Sequence, residues 1–167
     1  LEELPFDQDS FDVVMASNSI QFAIDKVAAL RELTRVCVGG GLIAVGTWGQ
    51  MKDCESRHIQ EAVGHLLLNP PSAVIAFALS APGKLEEFVK QVDMKPVSAA
   101  EVYCPFVFAS MDEFWRGIRS TGWSQLAIRE VGEARVEAAA RSAAEPFLTE
   151  SGSVRFENTQ RFLIAEV

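Results

Sequence analysis

The sequence predicts an α/β fold built on parallel strands, and three neighbouring features carry that expectation. Residues 11–15, Phe-Asp-Val-Val-Met, are a largely apolar run rich in β-branched residues, set between the polar turn Asp7–Ser10 and the small polar residues Ala16–Ser19. That is the pattern of a buried strand with an exposed carboxyl end. A helix follows from Asp25, its N-cap, to about Val38, with Val27, Leu30, Leu33 and Cys37 on one face. Glycines 39–41 are expected to end it, and Leu42–Val45 reads as a second buried strand, parallel to the first by the right-handed crossover rule. Small ligands bind outside the carboxyl ends of strands in open α/β sheets, so Ser17–Gln21 and Gly46–Gly49, on one rim, are the first candidates for a site.

These pieces occur in a telling order. Leu4-Pro5-Phe6, a polar turn, Ser10-Phe11-Asp12-Val13-Val14, a small polar loop, then Ala28-Ala29-Leu30-Arg31-Glu32-Leu33-Thr34-Arg35-Val36 before a glycine cluster and an apolar strand resemble the second half of a class I S-adenosylmethionine-dependent methyltransferase of the type 11-like, small-molecule kind. The resemblance is strong from Leu1 to about Gly49 and looser beyond. It implies the carboxyl-terminal part of a Rossmann-like methyltransferase sheet, with two parallel strands plus an antiparallel final pair, helices on both faces and a helical insertion before the last strand. Residues 1–167 would then be part of a single domain, with the insertion at about 110–150. The family's glycine-rich cofactor turn and its ribose-binding acid have no counterpart here, and the chain starts one residue after the position of the acid that reaches the adenine. It therefore reads as the carboxyl-terminal part of a longer protein.

The same resemblance implies the cofactor, S-adenosylmethionine, with S-adenosylhomocysteine as product, and a small-molecule methyl acceptor. The backbone near Leu1 and Glu2 would meet the adenine, and Ala16, Ser17 and Asn18 would pass beneath the methionine part. Gln21 stands where relatives often carry His. It can make a polar contact, but an amide is no base near neutral pH. The plainer reading is that Ser17–Ser19 simply terminate a strand. Methyl transfer from a sulfonium needs an aligned nucleophile and exclusion of water, so in-line displacement in a closed pocket requires no catalytic dyad.

Composition narrows the alternatives. A chain of 167 residues, 49% hydrophobic, can bury a core. No run reaches the roughly twenty apolar residues that cross a bilayer, so no membrane role is expected. The net charge of −8, with no basic stripe, argues against nucleic acid as partner. Cys37, Cys54 and Cys104 are odd in number and far apart, which together with the family points to a cytoplasmic protein.

Along the rest of the chain, Asp53 is expected to cap a helix to about Leu68, with Ile59, Val63, Leu66 and Leu67 as its apolar face, stopped by Asn69-Pro70-Pro71. Ala73–Leu79 is undecided between strand, helix and covering loop. Leu85, Phe88, Val89 and Val92 have helical spacing. Pro96–Phe108 reads as extended, and Ser110-Met111-Asp112-Glu113 as a capping box opening a helix with Phe114, Trp115 and Ile118. Gly122 interrupts that helix. Trp123–Val131 and Glu133–Ala144 are one or two more, Pro146 stops them and Gly152 sits in a turn. Val154–Val167 is expected to be the closing strand, which family topology sets antiparallel between the strand at Leu42 and the one at Val102.

Other residues invite chemistry. Cys54, His58, Glu61 and His65 share a helical stripe. It spans roughly 16 Å, too long for one ion, so no metal site is expected and a polar helix face is the commoner explanation. His58 remains a candidate catalytic base for a hydroxyl or amine acceptor. Trp48, Phe106 and Trp115, with Tyr103 and Phe108, could line an apolar acceptor pocket, although most such aromatics are core and Trp48 is the exception to expect. An alternative class is a non-catalytic fragment or assembly module that cannot bind cofactor alone. There the sheet edge at Phe11–Met15 and the helices at 110–150 would bury against a second chain, a homodimer being one such assembly.

Overall fold

The computed structural model describes residues 1–69 and 76–167. Its strands are β1 (Phe11–Ser17), β2 (Cys37–Trp48), β3 (Lys95–Tyr103), β4 (Phe106–Phe108), β5 (Val154–Phe156) and β6 (Thr159–Glu166). Its helices are α1 (Lys26–Val36), α2 (Arg57–Gly64), α3 (Lys84–Val89), α4 (Met111–Arg119), α5 (Gly122–Val131) and α6 (Glu133–Ala144). They fall into two compact units, one of Leu1–Met51, Val74–Tyr103 and Thr159–Val167, the other of Lys52–Ala73 and Cys104–Asn158. Among the described residues no helix is long and apolar enough to cross a membrane.

The first unit is a four-stranded sheet in the order β1-β2-β6-β3. β1 and β2 run parallel, from Val13 opposite Leu42 to Ser17 opposite Gly46. β6 is antiparallel to β2 and to β3, between which it lies, as the family topology implied. Asp25 caps α1 as expected, its carboxylate accepting from the Val27 and Ala28 N–H groups at 3.0 and 2.9 Å. Leu30 and Leu33 of α1 and Leu85, Phe88 and Val89 of α3 pack on Ile43, Val45 and Leu163 of the sheet. The α1 boundary differs from the expectation. The helix stops at Val36, and Cys37 and the three glycines already belong to β2. A side chain at Gly41 would put its Cβ 2.7 Å from Cys37 Sγ and 2.9 Å from the Asp12 carbonyl, so the glycine permits strand packing there and not a helix cap.

The amino-terminal segment is tied to α1 by a pair of charges. Arg35 bonds Glu32 at 2.7 Å and donates to the carbonyls of Phe6 and Leu4, while Glu32 Oε2 accepts from the Leu4 N–H at 2.8 Å. The Arg35 hydrogen bond, then the Leu4 N–H, hold the Glu32 carboxyl at about 2, against an ordinary value of 4.5. A carboxyl depressed in the folded state stabilises above its unfolded value, and the contribution fades as pH falls from about 4.5 to about 2. Exchange of the Leu4 amide, corrected for its intrinsic rate, is expected to accelerate across that window. In Glu32→Gln the acceleration should disappear. An unchanged profile in Glu32→Gln would assign the opening to another group.

The second unit packs α2, α4, α5 and α6 with a β4–β5 ribbon around Phe114, Trp115, Phe156, Ile59, Val63 and Val136. The capping box forms, with Ser110 Oγ accepting from Glu113 N at 3.1 Å and Glu113 Oε2 accepting from Ala109 N. Gly132, at φ 86°, separates α5 from α6, so the two-helix alternative holds.

Beyond β2 several boundaries depart from expectation, among them the end of α2, at Gly64 and not about Leu68. α2 begins at Arg57, not after Asp53, because Ser56 N–H and Oγ both donate to Asn158 Oδ1, at 3.1 and 2.8 Å. The same residue divides the expected closing strand into β5 and β6, and its carbonyl accepts from Cys104 N at 2.8 Å. Cys104 and Pro105 in turn divide the expected extended run Pro96–Phe108 into β3 and β4, which belong to different sheets. Pro70 and Pro71, and Ala73–Ile75 of the undecided stretch, lie outside the described residues. Of the remainder, Ala76, Phe77 and Leu79 are buried.

Candidate functional site

The strand tips that the sequence placed on one rim are side by side. Ser17 pairs with Gly46, and one residue on the Asn18 N–H donates to the Gly46 carbonyl at 2.8 Å. Asn18 then turns the chain at φ 46°, a left-handed conformation that Asn tolerates better than most residues. The turn leads into a single 3-10 turn, Ile20–Phe22, in which Ile20 and Gln21 are buried. On β2 the rim ends at Gly49, whose N–H donates to the Thr159 carbonyl at 2.8 Å.

Three amides lie in series at this rim. Asn18 Nδ2 donates to Gln160 Oε1 at 2.9 Å, and Gln21 Nε2 donates to Asn18 Oδ1 at 3.4 Å. Gln21 is fully buried, yet its Oε1 has no hydrogen-bond partner among the described residues. A buried acceptor without a partner costs free energy unless something polar answers it. The Thr47 hydroxyl, also fully buried, has no partner among the described residues either.

The other sequence candidates are placed as follows. Ala16 is 4% exposed and points into the core, so only its main chain can face a ligand, whereas Ser17 is exposed. Leu1 is exposed. Glu2 Oε1 accepts from the Asp25 N–H at 2.9 Å, the contact that does most to lower its carboxyl below the ordinary range. Trp48 is half-buried, its ring 6.1 Å from that of Phe77.

In the second unit Trp115 is buried in the core and Phe106 packs half-buried against it. His58 lies 3.4 Å through Nδ1 from Glu61 Oε2 and its ring stacks on Phe147 at 5.8 Å. With His65, Ala62, Ala143 and Pro146 these residues line a shallow groove of about 440 Å³. Cys54 of the expected stripe precedes α2 and is buried. Among the described residues no three His, Cys, Asp or Glu side chains converge as a metal-ligand set.

A sequence model described as Methyltransferase domain matches residues 1–45, the segment that builds β1, the amide loop, α1 and the start of β2. Over this segment the chain is similar to the class I methyltransferases. A 2-methyl-6-phytyl-1,4-hydroquinone methyltransferase of Synechocystis is 31% identical over 134 residues, which cover 75% of this chain and 40% of that protein. An uncharacterised protein of Mycobacterium tuberculosis is 47% identical over 47 residues, 28% of this chain and 17% of its own length. The chain thus spans less than half the length of these curated relatives. In fold it is similar to the YcgJ protein of Bacillus subtilis, with a TM-score of 0.55 over 99% of this chain and 67% of that one, at 19% identity.

Gln160 was not among the sequence candidates. It lies 142 residues from the Asn18 it contacts, and a strand-end glutamine carries no local signal of such a role. The pairing of Glu32 with the Leu4 N–H was likewise not legible, since 28 residues separate the two.

Proposed function

We propose that the whole protein transfers a methyl group from S-adenosylmethionine to a small-molecule acceptor, by in-line displacement in a closed pocket, and that this chain supplies the carboxyl-terminal part of its domain, with the helices at 110–150 as an insertion. One observation carries the reading: the parallel tips of β1 and β2 adjoin, Ser17 opposite Gly46, and Gln21, bonded through Nε2 to Asn18 in the loop after β1, keeps a buried, unanswered amide oxygen. A cradle with an open main-chain edge and an acceptor-only group suits a ligand that carries hydrogen-bond donors. S-adenosylmethionine, when bound, supplies a methyl group on a positive sulfur that is already an excellent leaving group.

The chain's own residues have positional work. The backbone of Leu1 and Glu2 meets the adenine, Glu2 being braced by Asp25. The main chain at Ala16, Ser17 and Asn18 supports the methionine part, and Gln21 accepts a hydrogen bond from it or from the acceptor molecule. Trp48 forms an apolar wall, while Phe106 and Trp115 frame the second unit. His58, with Nδ1 turned to Glu61, would use Nε2 to take a proton from a hydroxyl or amine. The Synechocystis relative, named for a hydroquinone, supports a small aromatic acceptor. The net charge of −8 speaks against nucleic acid, and the family relation is consistent with a cytoplasmic protein.

Calorimetric titration of the whole protein with S-adenosylhomocysteine is expected to give saturable heat. No heat at millimolar ligand would overturn the reading.

A second reading concerns the 167-residue chain by itself, as an assembly module without cofactor. It is favoured by the outer edge of β1, where Val13 and Met15 are 57% and 73% exposed beside Phe6 and Phe11. An unpaired apolar edge of this kind promotes association. Sedimentation of the isolated chain should then give a homodimer, and a stable monomer would remove the idea.

A further inference from the structure

The groove of the second unit joins an apolar wall to a polar one. Ala143 near the end of α6, with Pro146 and Phe147 just after it, makes the first, and His58 and Glu61, one turn apart on α2, belong to the second. At about 440 Å³ the groove has room for a substituted aromatic ring, since a cavity of about 150 Å³ already takes benzene. His58 is fixed from two sides. Its ring stacks on Phe147 at 5.8 Å and 27°, and Phe147 lies 4.8 Å from Phe156, which is 1% exposed. Its Nδ1 is 3.4 Å from Glu61 Oε2. A carboxylate only accepts, so this neighbour favours the neutral imidazole with its proton on Nδ1 and its lone pair on Nε2. Among the described residues that line the groove Glu61 alone carries a fixed charge, and Arg57 Nη1 stands 3.9 Å from it. That balance disfavours an ion as ligand, and the lone pair calls for a donor.

We propose that this groove binds a neutral phenol, its ring on the wall of Ala143, Pro146 and Phe147 and its hydroxyl donating to His58 Nε2. A phenol is neutral at pH 7, its pKa being close to that of tyrosine, about 10. One flat apolar body and one hydroxyl match one apolar wall and one acceptor. The inference deepens the methyl-transfer reading and rests on it in one respect, the assignment of His58 as the group that meets a hydroxyl. The groove itself lies wholly within the second unit.

The experiment is NMR titration of the isotope-labelled whole protein near neutral pH with para-cresol, its ether para-methylanisole and para-methylbenzylamine, which is an ammonium there. The signals read are those of the His58 ring and of the Ala62 and Ala143 methyl groups, all in the lining. para-Cresol should give saturable shifts at all three. para-Methylanisole keeps the ring but has no O–H, and should bind about three- to tenfold more weakly, the worth of one hydrogen bond. His58→Leu, at a side chain 42% exposed, should remove the difference between cresol and ether while the fold persists. Ala143→Gln, which fills the groove, should weaken both alike. Equal affinity of cresol and ether for the wild-type protein, or cresol shifts that leave these three residues still, overturns the inference. Tighter binding of the ammonium makes the groove a cation site and overturns the ligand class. Calorimetry with S-adenosylhomocysteine on the same sample separates the two readings: absent heat overturns methyl transfer, and the cresol shifts alone decide the groove.

Discussion

Replacing Phe156 by alanine is expected to destabilise the second unit by about 3–5 kcal/mol, the usual loss when a large aromatic is removed from a core. Phe156 is 1% exposed, and its ring centroid lies 4.8 Å from that of Phe147, 5.8 Å from Phe114 and 6.5 Å from Phe108. It is also the β5 residue opposite Phe106, so it joins the ribbon to the helices. Alanine would leave a cavity that three ring partners on different elements cannot close together. Phe156→Leu, which fills most of the volume, should cost about 1–1.5 kcal/mol. Denaturant unfolding followed by tryptophan fluorescence reads both, as a lower midpoint at unchanged slope. A loss below about 1 kcal/mol for the alanine variant would mean that the ring is not a core residue.

Gly49→Ala is the second large effect, and it falls on the rim. A Cβ on Gly49 would overlap Thr159 Oγ1 and meet Thr159 Cβ at 2.8 Å and the Thr159 carbonyl at 3.0 Å. The carbonyl cannot withdraw freely, because it accepts the Gly49 N–H. β6 must therefore shift against β2, at about 1–3 kcal/mol, as for overpacking elsewhere. Combining it with Thr159→Ala removes the hydroxyl but leaves the backbone contact, so rescue should be partial. Thermal unfolding checks this: full recovery in the double variant would place the whole strain on the hydroxyl. The shift would also move Gln160, the neighbour of Thr159, so weaker binding of S-adenosylhomocysteine should accompany lost stability.

The strand–helix–strand unit at the start of the chain was readable because its signals are local. An apolar run, an Asp cap and a second apolar run needed no distant partner, and all three elements form, although β1 is not the buried strand expected: it lies at the sheet edge with Val13 and Met15 57% and 73% exposed. The glycines were misread, because what decides them is the space between β1 and β2, visible only once Asp12 and Gly41 meet. The breaks at Cys104 and Asn158 escaped for the same reason. Each is made by a hydrogen bond between residues far apart, Ser56 to Asn158 and Cys104 to Asn158. At the site, sequence order located Asn18 and Gln21 but could not show that their amides point at one another, or that Gln160 closes the series. Burial of Gln21, with one atom unanswered, was beyond any pattern of residue types.

The central claim is that the adjoining tips of β1 and β2 form one side of a cradle for a sulfonium nucleoside. Backbone amide shifts of the isotope-labelled whole protein, recorded during addition of S-adenosylhomocysteine, test it most directly. The account predicts saturable shifts concentrated at Ser17–Gln21 and Thr47–Gly49, with Gln160 moving in step and the Ala138–Ala140 stretch of α6 silent. Shifts confined to other segments while the rim stays still would contradict it.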